Sequence, residues 1–106
     1  MKVLNIIDAG LKVGENCQMY YYRGLIYLYL GMNVEAIDDV DKAIEKSEDN
    51  VAKYFFLRAL IFMHEKNYEQ AISEFSTCIS IDEKYFDAYL ERAKAKILCG
   101  DTEGAF

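Results

Sequence analysis

Residues 20–50, "YYYRGLIYLYLGMNVEAIDDVDKAIEKSEDN", lie over residues 55–85, "FFLRALIFMHEKNYEQAISEFSTCISIDEKY", without a gap at an offset of 35. Arg23 falls on Arg58, Gly24 on Ala59, Tyr27 on Phe62, Ala36 on Ala71, Val40 on Phe75 and Ala43 on Cys78. A third copy opens at "YLERAKAKILCGDTEGAF" (89–106), now offset by 34, and keeps Arg92, Ala93, Gly100 and Ala105 in the same columns. The first residues read as the tail of an earlier copy, because "DAGLKVGEN" (8–16) sits over "KAIEKSEDN" (42–50). Such a repeat restricts the fold. Each unit is too small to bury an apolar face alone and must stack on a neighbour.

Within each copy the apolar residues recur at helical spacing. Tyr20, Gly24 and Tyr27, then Ala36, Val40 and Ala43, step by three or four, which marks two helices joined by a turn. The spacing predicts helices near 2–13, 17–30, 34–47, 52–65, 68–81 and 85–98, with a stub from about 102. Gly31, Asn67 and Gly100 are the residues expected to end the first helix of each copy in a left-handed conformation. Asn33 and Asp101 are expected caps for the helices that follow. Proline is absent, so nothing forbids helix anywhere. The run "MYYYRGLIYLYLG" (19–31) carries β-favouring Tyr and Ile. The repeat nevertheless assigns it to a helix with apolar groups on more than one side. It is too short for a bilayer, which needs about 20 apolar residues.

The column pattern sorts by size. Gly24, Ala59 and Ala93, and Ala36, Ala71 and Ala105, let paired helices approach closely, while Tyr20, Phe55 and Tyr89, with Tyr27 and Phe62, fill the space beside them. Twelve basic against eighteen acidic residues leave a net charge of −6, which disfavours non-specific binding to nucleic acid or anionic lipid. Cys17, Cys78 and Cys99 are odd in number and far apart, so neither a zinc site nor a disulfide framework is indicated. Free thiols suit a reducing compartment. The first residues make a poor signal peptide, with Asn5 and Asp8 interrupting the apolar run, and a cytoplasmic location is expected.

With these columns in place, the chain resembles the tetratricopeptide repeat family. The resemblance covers nearly its whole length: the second helix of a preceding repeat (1–16), repeats at 17–51 and 52–85, and a truncated repeat at 86–106. Two departures stand out. Glu48 and Glu83 replace the proline that usually ends each repeat, and Lys96 stands where earlier copies have Tyr27 and Phe62. The resemblance implies an all-α fold, a right-handed superhelical solenoid of antiparallel helix pairs whose first helices line a concave groove. It also implies an interaction scaffold rather than an enzyme, with no cofactor or metal. In register, the groove positions it implies include Tyr21, Tyr22, Leu25 and Tyr29, then Phe56, Leu57, Leu60, Met63 and His64, then Leu90.

That surface is aromatic and branched, which suits an interaction site. Family members that hold acidic chaperone tails clamp the carboxylates with Lys, Asn and Arg. The matching positions here are Tyr21 and Leu25, Leu57, and Asp87 and Glu91, so a carboxylate clamp is not expected. The expected ligand is an apolar peptide or amphipathic helix. Tyr22→Ser together with Leu57→Ser is expected to abolish its binding without unfolding the chain. The alternative is self-association, in which a second copy or a flanking helix covers the groove.

The one-per-repeat arginines, Arg23, Arg58 and Arg92, could suggest phosphate binding. Asp39 and Glu74, however, each follow an arginine by sixteen residues and are expected to pair with it across the hairpin, while the counterpart of Arg92 would lie beyond Phe106. Cys78 occupies the column of Ala43 and reads as core. "DDVDK" (38–42) spreads its acids around a helix and reads as a solvated face. His64 is the only histidine, and no nucleophile motif or Gly-rich phosphate loop accompanies it.

Overall fold

The computed structural model describes residues 4–6, 8 and 16–100. Among them the chain is all-α. Residues 4–6 and 8 are helical, and five helices follow: α1 (Cys17–Tyr29), α2 (Asn33–Lys46), α3 (Ala52–His64), α4 (Tyr68–Ile81) and α5 (Phe86–Leu98). These sit within two residues of the predicted spans. Most of the expected helix 2–13, the stub from 102 and the Asp101 cap lie outside the described residues.

The chain divides into two compact units, Met1–Asp49 and Asn50–Phe106, and the break falls at the edge of the first full repeat. In the first unit α1 packs on α2. The seam is built from the small columns: Gly24, Ala36, Val40 and Ala43 are all buried. Tyr20 closes one side at 7% exposure. In the second unit α4 packs on both α3 and α5. Its core is Ala59, Ala71, Phe75, Cys78 and Ala88, with Phe55, Phe62 and Ile79 packed around it. Cys78 is buried as expected, and burial pushes its thiol up to about 11.

The turns hold two corrections. After α1, Gly31 takes φ 78°, with its N–H donating to Leu28 and the N–H of Met32 donating to Tyr27 at 2.8 Å. This double bond pattern is a Schellman motif, which satisfies the last carbonyls of the helix. After α3 the same motif forms one residue earlier than expected. Lys66, not Asn67, adopts the left-handed conformation, at φ 64°, and Asn67 donates to Phe62 at 2.8 Å. Lys66 is the residue that aligns with Gly31, so the column won over the residue type. Gly100 is left-handed as expected. Asn33 is not the cap of α2: Met32 holds that place, without a side-chain cap, and Asn33 is already helical. The helix that does carry a side-chain cap is α1, where Asn16 Oδ1 accepts from the N–H groups of Gln18 and Met19.

Candidate functional site

The two hairpins repeat one piece of seam chemistry, an arginine laid on an aromatic ring and gripped by a carboxylate. Arg23 Nε and Nη2 donate to the two oxygens of Asp39 at 2.7 and 2.8 Å, and Nη1 donates to Asp8 at 2.7 Å. Arg58 donates to Glu74 through Nε at 2.6 Å and Nη2 at 3.2 Å. Both pairs match the sixteen-residue expectation. The bond to Asp39, opposed by desolvation and helped by Asp8, holds the Arg23 guanidinium well above its ordinary range. These arginines are therefore committed to the fold and offer no phosphate site. In "DDVDK", Asp39 turns inward to Arg23 while Asp38 and Asp41 are exposed, as a helical period requires. A cavity of about 150 Å³ beside this pair is lined by Arg23, Tyr27, Glu35, Asp38, Asp39 and Lys42.

The expected groove residues divide by unit. On α1, Tyr22 is 47% exposed and Tyr29 is 90% exposed, while Tyr21 and Leu25 are half-buried. The Tyr21 ring meets that of Tyr22 edge-on at 5.4 Å. Burial, with a smaller contribution from Tyr22, raises the Tyr21 phenol above its ordinary value. In the second unit the expectation needs revision. Leu57 is 1% exposed and belongs to a buried stripe with Tyr54 and Ile61, so it is a packing residue and cannot touch a partner. Phe56 is half-buried, its ring 5.6 Å from Phe75 and 4.9 Å from Tyr85, which ties it to the core of its own unit. Leu60 and Met63 are half-buried against that core. His64 and Leu90 are exposed.

Sequence reasoning missed a second exposed apolar group. Leu30, Met32 and Val34 surround the turn after α1, next to Tyr29. The signal was present, since Val34 falls outside the Ala36–Val40–Ala43 stripe that faces the seam. Phe86 is likewise exposed on α5. Among the described residues no cluster of three or more His, Cys, Asp or Glu could hold a metal, and no helix is long and apolar enough to cross a membrane. All three cysteines are free.

Comparison with known proteins bears on what this geometry is. Residues 52–85 match the family model described as tetratricopeptide repeat. Over 77 residues, 73% of the chain, the sequence is 34% identical to sperm-associated antigen 1 of Homo sapiens. The chain spans 8% of that protein's length. The matched segment begins with α3, contains the Arg58–Glu74 hairpin, and ends at Tyr85. Repeat columns, paired helices and this match agree, and the chain belongs to the tetratricopeptide repeat family.

Proposed function

We propose that the chain is a protein–protein interaction module that binds an apolar peptide or amphipathic helix through its first-helix faces, and not a carboxylate-clamp adaptor. The family supports the coarser half of this reading, since tetratricopeptide repeats form a non-catalytic protein-interaction fold. The observation that carries the finer half is the exposure of large apolar side chains at the expected face: Tyr22 and Tyr29 on α1 and Leu90 on α5. Exposing such groups is unfavourable without a partner, at about 25 cal/mol per Å² of apolar surface. An anionic tail would meet Tyr21 and Leu25, or Asp87 and Glu91, and find no donors there comparable to Lys or Arg. A cytoplasmic setting belongs to the same reading and is supported by the three free thiols.

The test is a displayed library that mixes amphipathic helical peptides with acidic C-terminal tails. The expected outcome is enrichment of apolar helical sequences, lost with Tyr22→Ser plus Tyr29→Ser or with Leu90→Ser while the helical circular dichroism is unchanged. Enrichment of acidic tails, or binding indifferent to these changes, would overturn the reading. Self-association is the second reading, favoured by the same exposed groups. Sedimentation over a concentration series separates the two, because a monomer at high concentration excludes it.

A further inference from the structure

The turn between α1 and α2 is apolar where the repeat does not require it. Tyr29, Leu30, Met32 and Val34 are all exposed there, Val34 at 71%. One repeat later the same columns hold His64, Glu65, Asn67 and Glu69. Those four are exposed as well, in a hairpin that has helices before and after it in the chain. The columns are solvent positions in either hairpin, and neither packing nor turn formation calls for apolar side chains in the first. Large apolar groups gathered in solvent mark a contact surface.

The chemistry beside the turn selects the partner. Val34 precedes Glu35 and stands one helical turn before Asp38, while Leu30 follows Tyr27 by three residues. Tyr27, Glu35 and Asp38 line the cavity of about 150 Å³ together with Arg23, Asp39 and Lys42. Asp8, from the chain before α1, already lies on Arg23, which also grips Asp39. Lys42 lies over the Tyr20 ring at 5.6 Å. Glu35 and Asp38 are exposed, and among the described residues no cation is paired with either. Two cations, Arg23 and Lys42, thus stand among four carboxylates, and the Tyr27 ring adds an aromatic wall. Such a cavity attracts an ammonium group. In the second hairpin Phe62, Gln70, Ser73 and Thr77 replace Tyr27, Glu35, Asp38 and Lys42, so these charges too are particular to the first.

We propose that the α1–α2 turn docks a segment of another protein that carries large apolar side chains and a lysine. The apolar groups cover Leu30, Met32 and Val34, and the ammonium enters the cavity beside Glu35 and Asp38. Charge decides the occupant. A second copy placed symmetrically on the same turn would bring Glu35 and Asp38 against their own counterparts. Four apolar side chains also fall short of the roughly 20–30 residues a side of a stable dimer. An anionic lipid surface meets the same acids and is repelled. The site rests on the reading of the chain as a protein-interaction module, but it lies on the turn of the first hairpin rather than on the first-helix faces, with Tyr29 common to both.

The second hairpin supplies the variants. Leu30→Glu with Met32→Asn and Val34→Glu copies Glu65, Asn67 and Glu69, and Glu35→Gln with Asp38→Ser copies Gln70 and Ser73. Each is a residue the fold already holds in the same column. The probe is a labelled, end-blocked leucine–lysine amphipathic peptide, with a companion in which every lysine is glutamine. Titrated against the full chain by fluorescence anisotropy, the lysine peptide is expected to bind saturably and its companion roughly tenfold weaker or more. Either set of substitutions should weaken the lysine peptide by about tenfold. The first set adds two acids, so general attraction of a cationic peptide to an acidic chain would tighten binding where the proposal expects loss. Removing two exposed acids elsewhere, Glu45→Gln with Glu48→Gln, should leave the affinity unchanged. No saturable binding of the lysine peptide, or affinity indifferent to either set, overturns the proposal. Equal affinity for the two peptides overturns it without any variant having to fold. A homodimer in sedimentation, or binding to phosphatidylserine vesicles, that the first set abolishes also overturns it and assigns the turn to a second copy or to lipid. Tyr22→Ser with Leu90→Ser should leave the lysine peptide bound, which separates failure of this site from failure of the first-helix faces.

Discussion

Tyr22 and Leu57 occupy the same column, yet Tyr22 is half in solvent and Leu57 is sealed. Their neighbours follow suit. Met19 and Ile26 on α1 are half-buried, while Tyr54 and Ile61, in the matching places on α3, are buried. The two helices share an identical seam plan on the side facing their own partner helix. They differ on the flank. A repeat column therefore fixes what the inner face of a hairpin must contain, because helix–helix distance dictates residue size there. It does not fix which flank is covered.

The largest effect that tests this comparison comes from changing both residues of the column to serine. Leu57→Ser removes a buried side chain and buries a hydroxyl, and is expected to cost about 3–5 kcal/mol in urea unfolding. Tyr22→Ser is expected to cost less than about 1 kcal/mol. Equal costs would mean that the flank of α1 is as well packed as that of α3. The earlier expectation, in which Tyr22→Ser with Leu57→Ser abolished binding but preserved the fold, fails for the same reason: the second change attacks the core.

The paired arginines come next. Arg23→Met strands Asp39, whose side chain is 3% exposed, and is expected to cost about 3 kcal/mol or more. Arg58→Met strands Glu74, whose longer side chain is 11% exposed, and is expected to cost clearly less, about 2 kcal/mol. Changing both partners, Arg23→Met with Asp39→Leu, should recover much of the Arg23→Met deficit, because no carboxylate is then left stranded. A deficit that the second change does not recover would show that packing of the arginine stem, not its charge, supplied the stability.

Much of this was legible in the sequence, and particular residues show why. The helices, the small columns and the sixteen-residue pairings follow from local periodicity and from one offset, and both act over distances that a single hairpin spans. The site was less legible. Leu57 and Phe56 read as groove residues because register alone was used, and register carries no information about ring packing such as Phe56 between Phe75 and Tyr85. The bond from Arg92 to Ser76 was missed because pairing was sought only forward along the chain, toward position 108. Ser76 lies sixteen residues behind Arg92, as far back as Asp39 lies ahead of Arg23.

Cys78 and Ala43 share a column, and their difference gives the second unit an alkaline signature at a place where the first has no titrating group. Burial raises the Cys78 thiol from 9.0 to about 11 in the folded chain. Its contribution is therefore fully present below pH 9 and is lost as pH rises toward 11, by about 2 kcal/mol at most. Cys78→Ala, which copies the first repeat, should flatten that part of the stability-versus-pH curve. An unchanged slope would place the alkaline loss on the tyrosines and lysines instead. Exposed Cys99 should react with a maleimide in the native state, whereas Cys78 should react only on unfolding.

The smallest expected effect belongs to the turns, where the two hairpins solve one problem with different residues. Both first helices end in a left-handed residue that donates back to the helix, Gly31 in one and Lys66 in the other. A Cβ added at Gly31 meets nothing within 4 Å, so any cost there is conformational rather than steric crowding by neighbours. The left-handed region costs an L-residue about 1 kcal/mol relative to glycine. Gly31→Ala should therefore destabilise by about 1 kcal/mol, and Lys66→Gly should stabilise by a similar amount. Exchanging the two, Gly31→Lys with Lys66→Gly, should leave the summed stability nearly unchanged while moving the weaker turn from the second hairpin to the first. Hydrogen exchange at Met32 and Asn67, the amides that close the two motifs, reads the transfer directly. Equal exchange at both amides before and after the swap would show that seam packing, not turn conformation, sets how tightly each hairpin is closed.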